Sequence, residues 1–147
     1  MTLAIRKLEK SDHARWLELW RGYQAFYEAD LRADEERLFE ALLAPESDGP
    51  FCLVCEVDGT IAGITQFLYH KTTWGAERRC YLNDLFTDAA FRGRGVARLL
   101  IEAVEERARA DGAGQVYWLT QEFNHTARKL YDQVAVCTPF IKYAMRG

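Results

Sequence analysis

Residues 91–100 read FRGRGVARLL, in which two glycines and two arginines stand directly before an apolar, helix-forming run. The start of a helix leaves its first backbone N–H groups unpaired and carries partial positive charge. Gly93 and Gly95 allow the backbone to curl tightly there and to approach a ligand closely. The segment is therefore predicted to bind an anion, above all a phosphate or pyrophosphate, with its arginines as additional cations.

Two familiar phosphate-binding motifs do not fit this segment. A Walker loop requires G-x-x-x-x-G-K-[ST], and the segment has neither that length nor the Lys-Ser/Thr pair. A dinucleotide-binding loop requires a third glycine, where Arg98 stands, and a parallel β-α-β unit near the N-terminus. The remaining alternative is an Arg-Gly turn that binds no ligand.

The composition indicates a globular protein, and we expect residues 1–147 to form one domain. The chain is 49% hydrophobic and 28% charged, with a formal net charge of -3 and a pI of about 5.6. Without a basic excess we expect no nucleic-acid or membrane-surface partner. The charged N-terminus does not resemble a signal peptide and no apolar run is long enough for a membrane span, so we expect a cytoplasmic location.

The cysteines include a C-x-x-C pair, Cys52 and Cys55, within FCLVCEV. This stretch has the composition of a strand, on which residues three apart point to opposite faces. A zinc knuckle would need a second such pair, and a redox pair would stand at a helix start. We therefore interpret both cysteines as buried thiols.

Hydrophobic periodicity and turn residues predict the order β, α, α, β, β, β, α, β, α, β. Asp58-Gly59 should close a hairpin, residues 96–110 should form a long helix, and PFIKYAM (139–145) should form a closing strand. This order predicts an α/β fold (an α+β mixed sheet), mostly antiparallel, with a central β-α-β crossover and helices on both faces.

Two motifs, one at the start of the predicted long helix and one in the next predicted helix, resemble those of the GNAT superfamily of N-acetyltransferases. RGRGVA (92–97) fits the signature R/Q-x-x-G-x-G/A, and NHTARKLYD (124–132) fits N-x-x-A-x-x-L-Y. The sequence is most similar in motif to the branch of polyamine, fungal histone and D-amino-acid acetyltransferases. The resemblance implies transfer of an acetyl group from acetyl-CoA to a primary amine by direct attack, without a metal. The amine could belong to a small amine, a polyamine, an amino acid or a lysine side chain.

The resemblance also implies roles for individual residues. The backbone of Leu85, Phe86 and Thr87 would pair with the pantetheine arm of the cofactor, and Asn124 would make a polar contact with it. Tyr131 would protonate the departing thiolate, although a core aromatic would fit the same helical position. The pyrophosphate would be bound by Arg92, Gly93, Arg94, Gly95, Val96, Ala97 and Arg98.

The general base is less well defined by the resemblance. Related polyamine enzymes carry an adjacent Glu-Asp pair in the strand where this chain has Asn83-Asp84. Asn cannot act as a base, so the role would pass to Asp84, to another carboxylate or to a water relay. On a regular strand Asn83 and Asp84 face opposite sides.

The region of the first helix, WLELWRGYQAFYEADLRADEE (16–36), is rich in aromatic and acidic residues. In the family this region contacts the acceptor, so it could form a wall for a cationic amine. Core packing with a solvated acidic face is the alternative. The predicted acceptor-binding residues are Trp20, Tyr23, Tyr27, Glu28 and Asn83.

Two further expectations follow from the resemblance. The chain could be a binding or regulatory module that senses acyl-CoA without turnover, although Asn124 and Tyr131 favour an enzyme. A homodimer is expected, because close relatives often pair through C-terminal strands and CTPFIKYAM (137–145) is apolar and aromatic.

Overall fold

A computed structural model describes all 147 residues and contains one five-stranded sheet in the order β1-β2-β3-β4-β5. Neighbouring strands are antiparallel except for the parallel pair β4–β5, which α3 connects. This arrangement confirms the predicted mixed sheet and its β-α-β crossover, although the crossover lies at one edge of the sheet and not at its centre. The strands are β1 Leu3–Lys7, β2 Phe51–Val57, β3 Thr60–His70, β4 Arg79–Thr87 and β5 Gln115–Tyr117. The helices are α1 His13–Phe26, α2 Glu35–Leu43, α3 Val96–Ala110 and α4 His125–Val134.

The β2–β3 connection is the hairpin expected from the sequence. Asp58 and Gly59 have φ values of 50° and 85°, so both central residues are in the left-handed region. A two-residue turn of this kind matches the right-handed twist of the strands that it joins. The turn therefore fixes the register of β2 against β3.

Helices cover both faces of the sheet, as predicted. Trp16 and Leu19 of α1 pack with α2 on one face, whereas Leu100 and Val104 of α3 pack on the other. The alternation of side chains along β2 places Cys52 on the face covered by α1 and Cys55 on the face covered by α3. All four cysteines are free thiols. The helices are too short or too polar to span a membrane.

Gly63 of β3 allows the start of α3 to approach the sheet. A Cβ at this position would lie 2.7 Å from a methyl carbon of Val96 and 3.0 Å from the carbonyl oxygen of Phe86. We expect Gly63→Val to lower the free energy of unfolding by about 1–3 kcal/mol, because the surrounding core must shift to accommodate it. Urea denaturation measures the effect.

Gly75→Val is the control for this change, since a Cβ at Gly75 meets nothing within 4 Å. Its effect should stay within about 0.5 kcal/mol of wild type. Equal stabilities for the two variants would show that the approach of α3 does not depend on Gly63.

The predicted closing strand at residues 139–145 is wrong. The chain after α4 forms no strand, and its large apolar side chains are exposed. A strand requires a partner edge for its backbone hydrogen bonds, and no strand of the same chain pairs with this segment. Phe140, Ile141, Tyr143 and Met145 have exposed fractions of 72%, 77%, 89% and 97%.

Candidate active site

The strands β4 and β5 separate and leave a cleft between them. They pair only through Arg79–Tyr81 and Gln115–Tyr117, so the edge of β4 from Leu82 to Thr87 has no strand partner on the β5 side. The backbone of Leu85, Phe86 and Thr87 lies on this free edge. An extended ligand arm can add to such an edge as an extra strand.

The glycine-rich turn lies at the start of α3, a helix of 15 residues. Gly93 and Gly95 have φ values of 78° and 83°, which glycine adopts without strain. A Cβ at either position would meet nothing within 4 Å, so the loop borders open space. The Leu99 amide donates to the Gly95 carbonyl at 3.1 Å, and the amides that precede it have no helical acceptor. This geometry fits a phosphate group.

The arginines of the turn differ in their surroundings. Arg92 donates through Nε to the Thr87 carbonyl at 3.3 Å and lies 6.0 Å from the centre of the Phe86 ring. Arg92 and Arg94 are exposed and neither forms an ion pair, so both can approach an anion. Arg98 instead donates to Gln133 and links α3 to α4. Val96 is buried in the core, so only its backbone amide can face a ligand.

Helix α4 follows β5 and carries Asn124 and Tyr131. Asn124 occupies the N-cap position, but its side chain makes no capping bond and instead donates to Thr120 Oγ1 at 3.4 Å. The Tyr131 ring is half-buried and contacts Trp118 edge to face, with ring centres 5.4 Å apart. Burial raises the pKa of Tyr131 to about 12, so the hydroxyl stays protonated near neutral pH.

A chain of side-chain hydrogen bonds holds Asp84. Trp16 Nε1 donates to Gln66 Oε1 at 2.9 Å, and Gln66 Nε2 donates to Asp84 Oδ2 at 2.9 Å. Burial raises the pKa of Asp84, and hydrogen bonds from Gln66 and Tyr23 only partly offset that rise. A carboxylate of this kind has a higher affinity for a proton than an exposed one.

A β-bulge corrects the expected orientation of Asn83 and Asp84. Asp84 is opposite Gln66 and Leu82 is opposite Phe67, so Asn83 is the extra residue in β4. A bulge interrupts the alternation of side chains. The Asn83 amide nitrogen consequently lies 3.5 Å from Asp84 Oδ1, and the prediction that the two side chains face opposite sides is wrong.

Aromatic residues of α1 surround Asp84, but not all the predicted ones reach the cleft. The Tyr23 and Tyr27 rings are 4.7 Å apart. Burial and the Asp84 charge raise the pKa of both hydroxyls. Trp20 is only 4% exposed and stacks beneath Tyr23, so it belongs to the core rather than to a binding wall. Glu28 is exposed at the turn after α1, with φ of 53°.

The sequence did not identify Gln66 or Tyr81 as site residues. Gln66 is 2% exposed, and the signal for its role was a lone amide within the apolar strand TIAGITQFLY. Burial and, more weakly, the Asp84 charge raise the pKa of Tyr81, which shows that the two side chains are close. No local pattern marks Tyr81, because its position beside Asp84 depends on the bulge.

Known proteins resemble this chain in sequence and in fold. The family model described as the acetyltransferase (GNAT) family matches residues 14–135. The D-amino-acid N-acetyltransferase HPA3 of Saccharomyces cerevisiae is 32% identical over 147 residues, covering 99% of this chain and 91% of the relative. The thialysine N-epsilon-acetyltransferase of Bos taurus is 27% identical over 139 residues, covering 86% and 79%. A ribosomal-protein-alanine N-acetyltransferase from Brucella melitensis biovar Abortus superposes with a TM-score of 0.82 at 22% identity, covering 99% and 100%.

Proposed function

This chain belongs to the acetyltransferase (GNAT) family and is an acetyltransferase, and we propose that it acetylates a primary amine of a free amino acid or a similar small amine by direct attack. The observation that carries the proposal is the half-buried carboxylate of Asp84 beside the free edge of β4, together with the protonated hydroxyl of Tyr131. The family uses acetyl-CoA, which supplies the acetyl group as a thioester. The relatives named for D-amino acids and thialysine support an amino-acid acceptor.

The residues at the start of α3 would bind the pyrophosphate of acetyl-CoA. The free amides there carry the partial positive charge of the helix, and Arg92 and Arg94 add full charges. The free edge of β4 would hold the cofactor arm in an extended conformation, with Asn124 on the opposite side of the cleft. These contacts would place the acyl group between Asp84 and Tyr131.

Proton transfer would be divided between these two side chains. Asp84 would take a proton from the incoming ammonium, directly or through water, because its raised pKa makes it a stronger base than an exposed carboxylate. A backbone N–H of Leu85 or Phe86 on the free edge would stabilise the developing oxyanion. The Tyr131 hydroxyl would donate its proton to the leaving sulfur as the C–S bond breaks. The second proton that the amine nitrogen loses would return to Tyr131 through water.

Thiol release from acetyl-CoA over a panel of amines tests the proposed function. The panel contains amino acids, diamines, polyamines and a lysine peptide. We expect thiol release that depends on the amine, with an amino acid among the best acceptors. A thiol signal no higher with any amine than without one would contradict the proposal.

Substitution of the half-buried Asp84 separates its catalytic role from its effect on stability. We expect Asp84→Asn to lower kcat at least about 100-fold, within the usual range for a general base. The same variant should melt at a higher temperature at pH 7, because it removes a partly desolvated charge and keeps an acceptor for the Gln66 amide. Steady-state kinetics and calorimetry check the two effects.

The gain in stability expected for Asp84→Asn depends on pH, and the direction of this dependence follows from the pKa of Asp84. The pKa of Asp84 is higher in the folded state than in the unfolded chain, so its ionised form destabilises the fold above the folded pKa. As pH falls through that value, Asp84 becomes protonated and the advantage of Asp84→Asn should shrink. A gain in stability that grows toward low pH would rule out this assignment.

We also propose that the protein forms a homodimer. A groove of about 210 Å³ lies beside the outer edge of β5, between the C-terminal ends of α3 and α4, and Val116 and Trp118 line it. The exposed C-terminal segment 136–147 is apolar enough to cover such a groove on a second copy. Sedimentation at micromolar concentration tests the dimer, and a single species near the chain mass of 16.9 kDa would refute it.

A further inference from the structure

Beyond Asp84, the α1 side of the sheet carries a second group of polar side chains. On β3, His70 points to the same side as Gln66, which contacts α1. On β4 and β5, Tyr81 is opposite Tyr117, and their rings stack with centres 5.1 Å apart. Because Tyr81 also lies close to Asp84, this group extends the site along the α1 face of the sheet, from the cleft toward the amino end of β4.

Two hydrogen bonds fix His70 and Tyr117. His70 Nδ1 lies 2.7 Å from the Lys71 carbonyl oxygen, which can only accept, so Nδ1 carries a proton. His70 Nε2 lies 2.7 Å from the Tyr117 hydroxyl. Both side chains are half-buried. His70 therefore holds the Tyr117 hydroxyl in one position on the α1 face of the sheet.

Arg79 adds a positive charge beside His70 and Tyr117. It stands two residues before Tyr81, on the same side of β4, and is paired with His70 in the register. Its guanidinium lies 5.3 Å from the centre of the Trp74 ring and forms no ion pair. Burial raises the pKa of Tyr117, and the charge of Arg79 opposes that rise, so the two side chains are close.

We propose that Arg79 and Tyr117, with His70 as the positioning residue, bind the carboxylate of an acceptor whose reacting amine is at the far end of its side chain. The proposal rests on the proposed function and identifies the acceptor as a diamino acid. A free guanidinium beside a fixed hydroxyl is suited to a carboxylate. A second ammonium group would instead be repelled by Arg79.

The spacing along β4 selects the side-chain amine. Arg79 and Asp84 are five positions apart, which on a strand of about 3.3 Å per residue gives a Cα separation of about 16 Å, somewhat less with the bulge. In a simple amino acid only one carbon atom separates the α-amine from the carboxylate carbon. Such a molecule is too short to place its carboxylate at Arg79 and its amine at Asp84 at the same time. In lysine or ornithine the terminal amine is several bonds further from the carboxylate, so the molecule is long enough to reach both residues.

Lysine and cadaverine provide a matched pair for the test, since they differ only in the carboxylate. We expect the KM of the wild-type enzyme for lysine to be at least about tenfold lower than for cadaverine, the effect of a charge-assisted hydrogen bond. Arg79→Gln should remove this difference by raising the KM for lysine alone, and Tyr117→Phe should reduce it. Mass spectrometry should locate the acetyl group on the side-chain nitrogen.

Lys71→Gln is the control, because it removes a neighbouring exposed charge that makes no contact with Tyr117 through its side chain. It should leave the lysine-to-cadaverine ratio unchanged. Equal KM values for the two amines in wild type would overturn the subsite, as would an Arg79→Gln effect of the same size on both. Acetylation of norleucine as efficient as that of lysine would overturn it too.

The failure of this inference differs from the failure of the proposed function. Turnover of cadaverine at the same KM as lysine leaves the acetyltransferase acting on amines and removes only the subsite. If no amine is turned over, the proposed function fails. Calorimetric titration of the CoA complex with lysine and with cadaverine then decides on the subsite, and equal affinities overturn it.

Discussion

Gly95→Glu is expected to abolish binding of CoA. The side chain would project into the open space that borders the loop, and its negative charge would repel a pyrophosphate. A ligand that binds only the folded state stabilises it by about 2.7 kcal/mol at a hundredfold excess over Kd. CoA should therefore raise the melting temperature of the wild-type protein by several degrees and leave that of Gly95→Glu unchanged.

Gly112→Glu is a closely matched control for this variant. Gly112 has φ of 82°, close to that of Gly95, and a Cβ there also meets nothing within 4 Å. It follows the C-terminal end of α3, so the same strain and the same charge are introduced far from the loop. The control should keep the full CoA shift, and a CoA shift retained by Gly95→Glu would show that the pyrophosphate binds elsewhere.

Tyr131→Phe is expected to lower kcat by about 10²- to 10⁴-fold, the usual contribution of a general acid. The substitution keeps the ring and its edge-to-face contact with Trp118 and removes only the hydroxyl. The affinity for CoA should therefore stay within about twofold. Because the pKa of Tyr131 is about 12, the loss should be the same across neutral and mildly alkaline pH.

Pre-steady-state thiol release makes this measurement decisive. It reports the chemical step even if product release limits the steady-state rate. Tyr143→Phe, at an exposed position of the C-terminal segment, should behave as wild type. A chemical step in Tyr131→Phe as fast as in wild type would remove Tyr131 from the mechanism and leave its ring as part of the core.

Features that depend on neighbouring residues were predictable from the sequence. The hairpin at Asp58-Gly59 follows from the φ values that a two-residue turn requires, and α3 begins where a glycine turn meets a periodic apolar run. The burial of Cys52 and Cys55 on opposite faces of the sheet follows from the alternation of side chains along a strand. Each of these features is set by dihedral preferences or by a fixed side-chain period, so a short window of sequence contains it.

The environment of Asp84 and the fate of the C-terminal segment were decided only by the tertiary structure. The bulge at Asn83 depends on how β3 and β4 pair, and it brings Asn83 to the side of Asp84. The segment 139–145 has the composition of a strand, but no edge of its own chain pairs with it. The sequence alone indicated the family, the order of elements as far as α4 and the glycine turn before α3, because these depend on short motifs and local geometry. Burial, register and the availability of a partner edge are properties of the whole packed chain, and they set which side chains share the cleft.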